Sequence, residues 1–292
     1  MTVIGRYNMT PALRDTIRSL RASPIFAFFV LLTLGIAGVV GLMTVIMTIQ
    51  PGFMGMAHFA DPNHRTHDLT YGFLYTTIVV GILAQLRRPT HNVAGMVMAL
   101  IPGFGLLLAT LLSADGSVIL SAERVSVIAM AAFAALLHPT GGAFFRTFRV
   151  SRVNWVMLAL VILPAVPLLA FVSTNIRLQA TVLDDHAAMG HYGFMAAFSL
   201  TAIAVGVLAS LRPDGWRLPA WVAGLLPALL GVTSLVYPDS SSSLGLVWAL
   251  AAIAWGVVFV AAAELTRGAE GRCPFHGAWS RSRTGVDDTR ID

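Results

Sequence analysis

Charge is scarce in this chain, lysine is missing, and cysteine occurs once. Only 11% of the 292 residues are charged, against 57% hydrophobic, and the mean hydropathy of +0.77 lies outside the range of soluble domains. A water-soluble fold is excluded. The lone cysteine, Cys273, excludes a disulfide framework within the chain. The nineteen basic residues are all arginine, a pattern assigned to coding bias rather than chemistry. Acidic residues are missing from the centres of the apolar runs; Glu123 and Glu264 stand near run ends. No nucleophile–base–acid set, paired catalytic carboxylates or phosphate-binding glycine loop stands in a fitting context, since Gly103-Phe-Gly105 lies inside an apolar run. Whether the protein is an enzyme stays open at this level.

What the chain does have is long apolar runs. Set against the roughly 20 residues needed to cross about 30 Å of hydrocarbon, they predict helices near 25–49, 70–86, 93–113, 123–145, 154–174, 192–211, 218–237 and 243–265. The first run is too long for the apolar core of a secretory signal and reads as a retained helix. Arginine crowds every second connection: Arg6, Arg14, Arg18 and Arg21, then Arg87 and Arg88, then Arg146, Arg149 and Arg152, then Arg212 and Arg217, then Arg267 and Arg272. Only Arg65, Arg124 and Arg177 fall on the other side. Retention of positive loops in the cytoplasm puts both termini there, consistent with an even number of spans. The expected class is an all-α integral membrane protein of eight transmembrane helices, multi-pass in the cell membrane. The net charge of +5 needs no nucleic acid to explain it, because arginines at helix ends meet lipid head groups. Trp155, Trp216 and Trp221 on one side and Tyr71, Tyr192 and Tyr237 on the other read as interfacial anchors.

The eight runs also repeat. Gly81-Ile-Leu-Ala-Gln-Leu-Arg87 recurs as Gly206-Val-Leu-Ala-Ser-Leu-Arg212, and Ala99-Leu-Ile-Pro102 recurs at the same offset as Gly224-Leu-Leu-Pro227. A constant offset over two helices predicts two parallel four-helix repeats, 25–149 and 150–266, flanked by a cytoplasmic N-terminal segment (1–24) and a tail (267–292) of disordered composition. Pro102 and Pro227 are expected to bend their helices.

Five of the eight histidines fall in the two long outer connections. His58, Asp61, His64, His67 and Asp68 lie in the first, and Asp184, Asp185, His186 and His191 in the second. If the second helix begins a turn early, His64, His67 and Tyr71 project from one face, and imidazoles so placed can share an ion while carboxylates ligate it or orient the rings. His186 and His191 are five apart, about 140° around an ideal helix, so they converge only across an irregular chain. The expected metal ligands are His64, His67, Asp61, Asp68, Asp185, His186 and His191. Imidazole and carboxylate without thiolate suit copper, zinc or iron, with Met189 and Met195 as soft additions favouring copper. A bis-histidine haem between His67 and His191 is a second expectation. The competing reading is a solvated loop whose histidines cap helices or titrate in water. His138, placed inside the fourth run, is a candidate axial ligand or proton relay, or a neutral ring bonded to a nearby carbonyl. Cys273 and His276 have a metal-like spacing, but a Rieske cluster needs a second cysteine–histidine box that is missing.

Three functions fit these residues. The first is a redox, metal-handling or cofactor-handling membrane protein built on the outer histidines. The second is a transporter or channel for a neutral or lipophilic solute. The third is a non-catalytic subunit of a larger membrane complex. Membrane lipid is the expected surrounding, with a homo-oligomer or larger assembly compatible with so much apolar surface.

Overall fold

A computed structural model describes residues 21–50, 64–148 and 152–267. Within them the protein is all helix, without strands. Seven helices are long and apolar enough to cross a membrane: α1 (Pro24–Ile49), α2 (Arg65–Leu86), α3 (Val93–Ser113), α5 (Trp155–Thr181), α6 (His191–Ser210), α7 (Arg217–Val236) and α8 (Gly245–Leu265). The fourth run forms only a 15-residue helix, α4 (Ala122–Leu136), followed by a 3-10 stretch, Gly141–Thr147. The expected span 123–145 therefore stops short. Pro139 lacks an amide proton and biases His138 away from helical backbone, so the helix ends just ahead of them.

Two other boundaries move. Helix α2 starts at Arg65 rather than residue 70, and the Arg65 guanidinium lies 5.3 Å from the centre of the Tyr237 ring, so its charged first turn is covered by protein. Helix α5 continues to Thr181 past the apolar run. Its late polar residues Asn175 and Gln179 are buried, placed four apart on one face and turned inward.

α6 lies at the centre, buried along nearly its whole length, and packs against α5, α3, α7 and α2. The outer helices leave Phe28, Leu42, Leu163, Val166, Val247 and Val257 exposed, as lipid-facing surfaces do. Lipid removes most of the hydrophobic drive between helices, so close packing of small residues becomes the cohesive term. The α7–α8 pair shows it: a Cβ built on Gly256 would collide with the backbone carbonyl of Gly224. Pro102 and Pro227 both lie inside their helices.

One end of the bundle carries His64, His67, His186 and His191; the opposite end is tied by polar side chains. There the Asn154 amide side chain donates to Thr266 Oγ1 at 2.6 Å, and the Arg212 guanidinium donates to the Thr266 carbonyl at 3.1 Å and hydroxyl at 2.9 Å. Arg212 also stacks 4.5 Å over the Trp216 ring. In the same region Asn92 closes the α2–α3 turn by donating to the carbonyls of Ala84, Arg87 and Arg88.

Candidate metal centre

Four imidazoles converge at the histidine end. His64 immediately precedes α2, and His67 and Asp68 stand in its first turn. His191 opens α6, while His186 rides on a separate one-turn helix, Asp185–Ala188. The irregular chain that these two histidines required is Met189-Gly190. Gly190 has φ +79°, and a Cβ there would stand 2.9 Å from the Ser117 carbonyl oxygen and 3.0 Å from Val118 Cα. Only glycine takes that conformation in that space without strain.

The turn is clamped from three sides. The Asp184 carboxylate accepts from the Ala187 amide at 2.8 Å and from the Tyr192 hydroxyl at 2.9 Å. Gln179 donates to the Ala187 carbonyl at 2.7 Å and accepts from the Gly193 amide at 3.0 Å, and it also donates to Asp115. Partial burial by itself would raise the Asp184 carboxyl, but its hydrogen bonds and the neighbouring His186 hold it below the usual carboxylate range.

Ring centres of His64 and His186 lie 4.4 Å apart, His64 and His191 4.9 Å, His67 and His186 5.0 Å, and His67 and His191 5.2 Å. One ligand atom from each of His64, His186 and His191 falls within 4.8 Å of the others. A tetrahedral ion with metal–nitrogen bonds of about 2.0–2.1 Å sets its ligands ~3.4 Å apart, so ring rotations that close the remaining gap would let one ion take all three nitrogens. Asp68 Oδ1 lies 3.8 Å from His191 Nε2, and Asp184 Oδ2 lies 3.7 Å from His186 Nδ1. Both gaps exceed hydrogen-bond length, so each carboxylate stands as a charge neighbour from which a small ring movement would make the imidazole–carboxylate pairing found behind metal ligands.

His64, His67, Asp68 and His191 are all at most 5% exposed, which overturns the solvated-loop reading for them. His67 is not one of the three converging ligands; its Nε2 meets Ser242 Oγ at 3.2 Å, and that hydroxyl donates to Asn175 Oδ1 at 3.0 Å. Below the rings lies an aromatic layer. Phe194 is 5.7 Å from His191 and 4.7 Å from Tyr71, with the Arg124 guanidinium 4.7 Å over Phe194.

Three expectations need correction. Asp185 is exposed and does not join the converging group. The haem expected between His67 and His191 does not fit, because those two rings stack with centres 5.2 Å apart, leaving no room for a macrocycle between them, while His186 packs against both and His64 against His191. His138 lies past the end of α4, not inside a span. Its Nε2 meets Gln85 Oε1 at 3.1 Å and its Nδ1 meets Thr140 Oγ1 at 2.7 Å. Gln85 is 18 residues beyond His67 on α2, or ~27 Å along the axis, so His138 shares no cofactor with the outer rings. Burial pushes its imidazole down to about 4, against a small opposing effect of the Pro89 backbone, and it acts as a neutral hydrogen-bonding node. Met195 is packed into the apolar core. His58, Asp61, Cys273 and His276 lie outside the described residues.

The sequence does not single out Ser242, Asn175, Gln179 and Arg124 as site residues. The i, i+4 pair of amides closing an apolar helix was a usable signal for two of them; Ser242, inside a run of four serines, offered none.

Comparison with known protein families, with curated proteins and with solved structures finds no match to this chain.

Proposed function

We propose that this polytopic membrane protein binds one transition-metal ion through His64, His186 and His191, in a redox or metal-handling role. The observation that carries this reading is the convergence of three imidazoles on one point from separate parts of the chain, next to a buried carboxylate. Asp68 orients His191, Asp184 orients His186, and His67 packs on the group as its link to Ser242. Imidazole donors of this kind suit copper, zinc or iron. Bound there, the ion would supply Lewis acidity or, for copper or iron, one-electron chemistry.

The proposed setting is the cell membrane, with eight crossings in two parallel four-helix repeats. The arginine-rich end and both termini face the cytoplasm, and the histidine end faces outward. The matched places of α2 and α6, each opening at the histidine cluster, support the repeat. Transport is the weaker reading. Buried hydroxyls such as those of Thr33, Thr77 and Ser199 bond back to their own helix carbonyls at 2.7, 2.9 and 3.1 Å, so they line no polar path.

Elemental analysis of untagged protein purified into nanodiscs tests the proposal. We expect about one copper, zinc or iron per chain, lost in His64→Ala and His191→Ala variants that keep their helix content. Wild-type protein with no metal after challenge with all three ions would overturn it.

A further inference from the structure

His67 has the surroundings of a metal ligand, although it stands outside the convergence of His64, His186 and His191. The Asn175 amide on α5 fixes the pattern. Its nitrogen donates to the Phe171 carbonyl at 2.9 Å, so its oxygen is the atom turned to Ser242; the flipped amide would set its oxygen against the Phe171 oxygen. The Ser242 hydroxyl gives its single proton to the Asn175 oxygen at 3.0 Å. It can therefore meet His67 Nε2, 3.2 Å away, only as an acceptor. His67 carries a proton on Nε2, and in the neutral ring Nδ1 holds the lone pair.

A metal-bound imidazole donates its outer N–H to a fixed partner, which sets the tautomer and leaves the other nitrogen for the ion. His67 has that partner at hydrogen-bond distance, and the residues behind it are held in place. Asn175 is buried. Ser242 keeps a left-handed backbone, φ +63°, a strained conformation for serine that persists only where its surroundings dictate it. The ring spacing agrees. Around one tetrahedral ion, metal–nitrogen bonds of about 2.0–2.1 Å place imidazole centres roughly 5 Å apart. The His67 centre lies 5.0 Å from His186 and 5.2 Å from His191, inside the 4.4–5.7 Å spread among His64, His186 and His191 themselves.

We propose that His67 is the fourth ligand of this centre, through Nδ1, with Ser242 and Asn175 as the positioning residues that fix its tautomer. Tilting the ring about its Ser242 contact, out of its stack on His191, carries Nδ1 toward the other three nitrogens. The inference rests on the metal reading above and narrows it. Three imidazoles leave a tetrahedral ion one position for water or substrate, whereas four close it. A closed centre passes electrons or holds its metal in place; it does not activate water. Its ligands enter as two pairs, His64 and His67 at the start of α2 and His186 and His191 at and just ahead of the start of α6, so the ion fastens α2 to α6.

Protein in nanodiscs is loaded with Co²⁺, which takes the place of zinc and reports its coordination number through its visible bands, and is then titrated with azide, which needs an open position on the ion. We expect four-coordinate bands in the wild type, unchanged by azide. His67→Gly should bind Co²⁺ at least tenfold more weakly, take up azide, and regain the wild-type spectrum when imidazole is added, a rescue that lost packing alone would not show. Ser242→Ala should lower the affinity about tenfold and admit azide, and it carries the test should His67→Gly fail to fold. Azide uptake by the wild type, or unchanged affinity and spectrum in both variants, would overturn the proposal and leave a three-imidazole centre with an open position. The metal content of the purified protein separates the two readings: a wild type that takes up no metal sinks both, and a loaded wild type with an azide-accessible ion sinks this one alone.

Discussion

Replacing Asp68 by asparagine keeps shape and volume while removing the charge that faces His191. The carboxylate oxygen lies 3.8 Å from His191 Nε2, with the two side chains 7% and 4% exposed. At that separation a full charge pair is worth about 4 kcal/mol at an effective dielectric of 20, and part of it is lost to desolvation. Loss of a carboxylate that orients a metal-bound imidazole weakens binding by about 10–100-fold, or roughly 1.4–2.7 kcal/mol. The assay is competition for Zn²⁺ and Cu²⁺ against a chromophoric chelator, on nanodisc protein at pH 7.5. Exposed Asp185→Asn is the control and should bind as wild type does. Equal affinity for wild type and Asp68→Asn, with Asp185→Asn weakened instead, would refute the reasoning.

Three further outcomes are expected. Gly190→Ala forces a left-handed backbone on alanine at about 1–2 kcal/mol and drives its Cβ against Ser117, so metal affinity and thermal midpoint should both fall; an unchanged protein would show that the turn does not hold His186 and His191 in place. His138 has a folded value near 4 against an ordinary 6.5, so the folded state binds fewer protons than the unfolded one between those values. Stability should decline as pH falls from about 6.5 toward 4, and His138→Gln should flatten that decline in thermal melts. Gly256→Val places methyl groups into the Gly224 backbone and should lower the melting temperature while the metal content of the folded fraction stays unchanged; a wild-type melting curve would show that α7 and α8 do not depend on this contact.

Hydropathy and arginine placement alone revealed the membrane class and set α3 at Val93–Ser113 without error, because a helix facing both lipid and protein is apolar throughout. The histidine cluster was readable because its members sit at matched places in the two outer connections. What could not be read depended on tertiary cover. Asn175, Arg177 and Gln179 look like the end of a span until inward burial of the amides is known. The α4 stop depended on weighing His138-Pro139 against the apolar residues around it. The link from His67 to Ser242 joins residues 175 positions apart, with no periodicity to announce it.

The shortness of α4 bears on the surrounding lipid. Its 15 residues rise ~22 Å, against about 30 Å of hydrocarbon. In the proposed eight-crossing arrangement the leaflet on that flank would dimple inward, or the 3-10 stretch would sit among head groups with Phe145, which is 77% exposed, as its wedge. Such hydrophobic mismatch favours thinner membranes and draws neighbouring proteins together to share the deformation. In that arrangement the mismatch would give the molecule a built-in preference for where in a heterogeneous bilayer it resides.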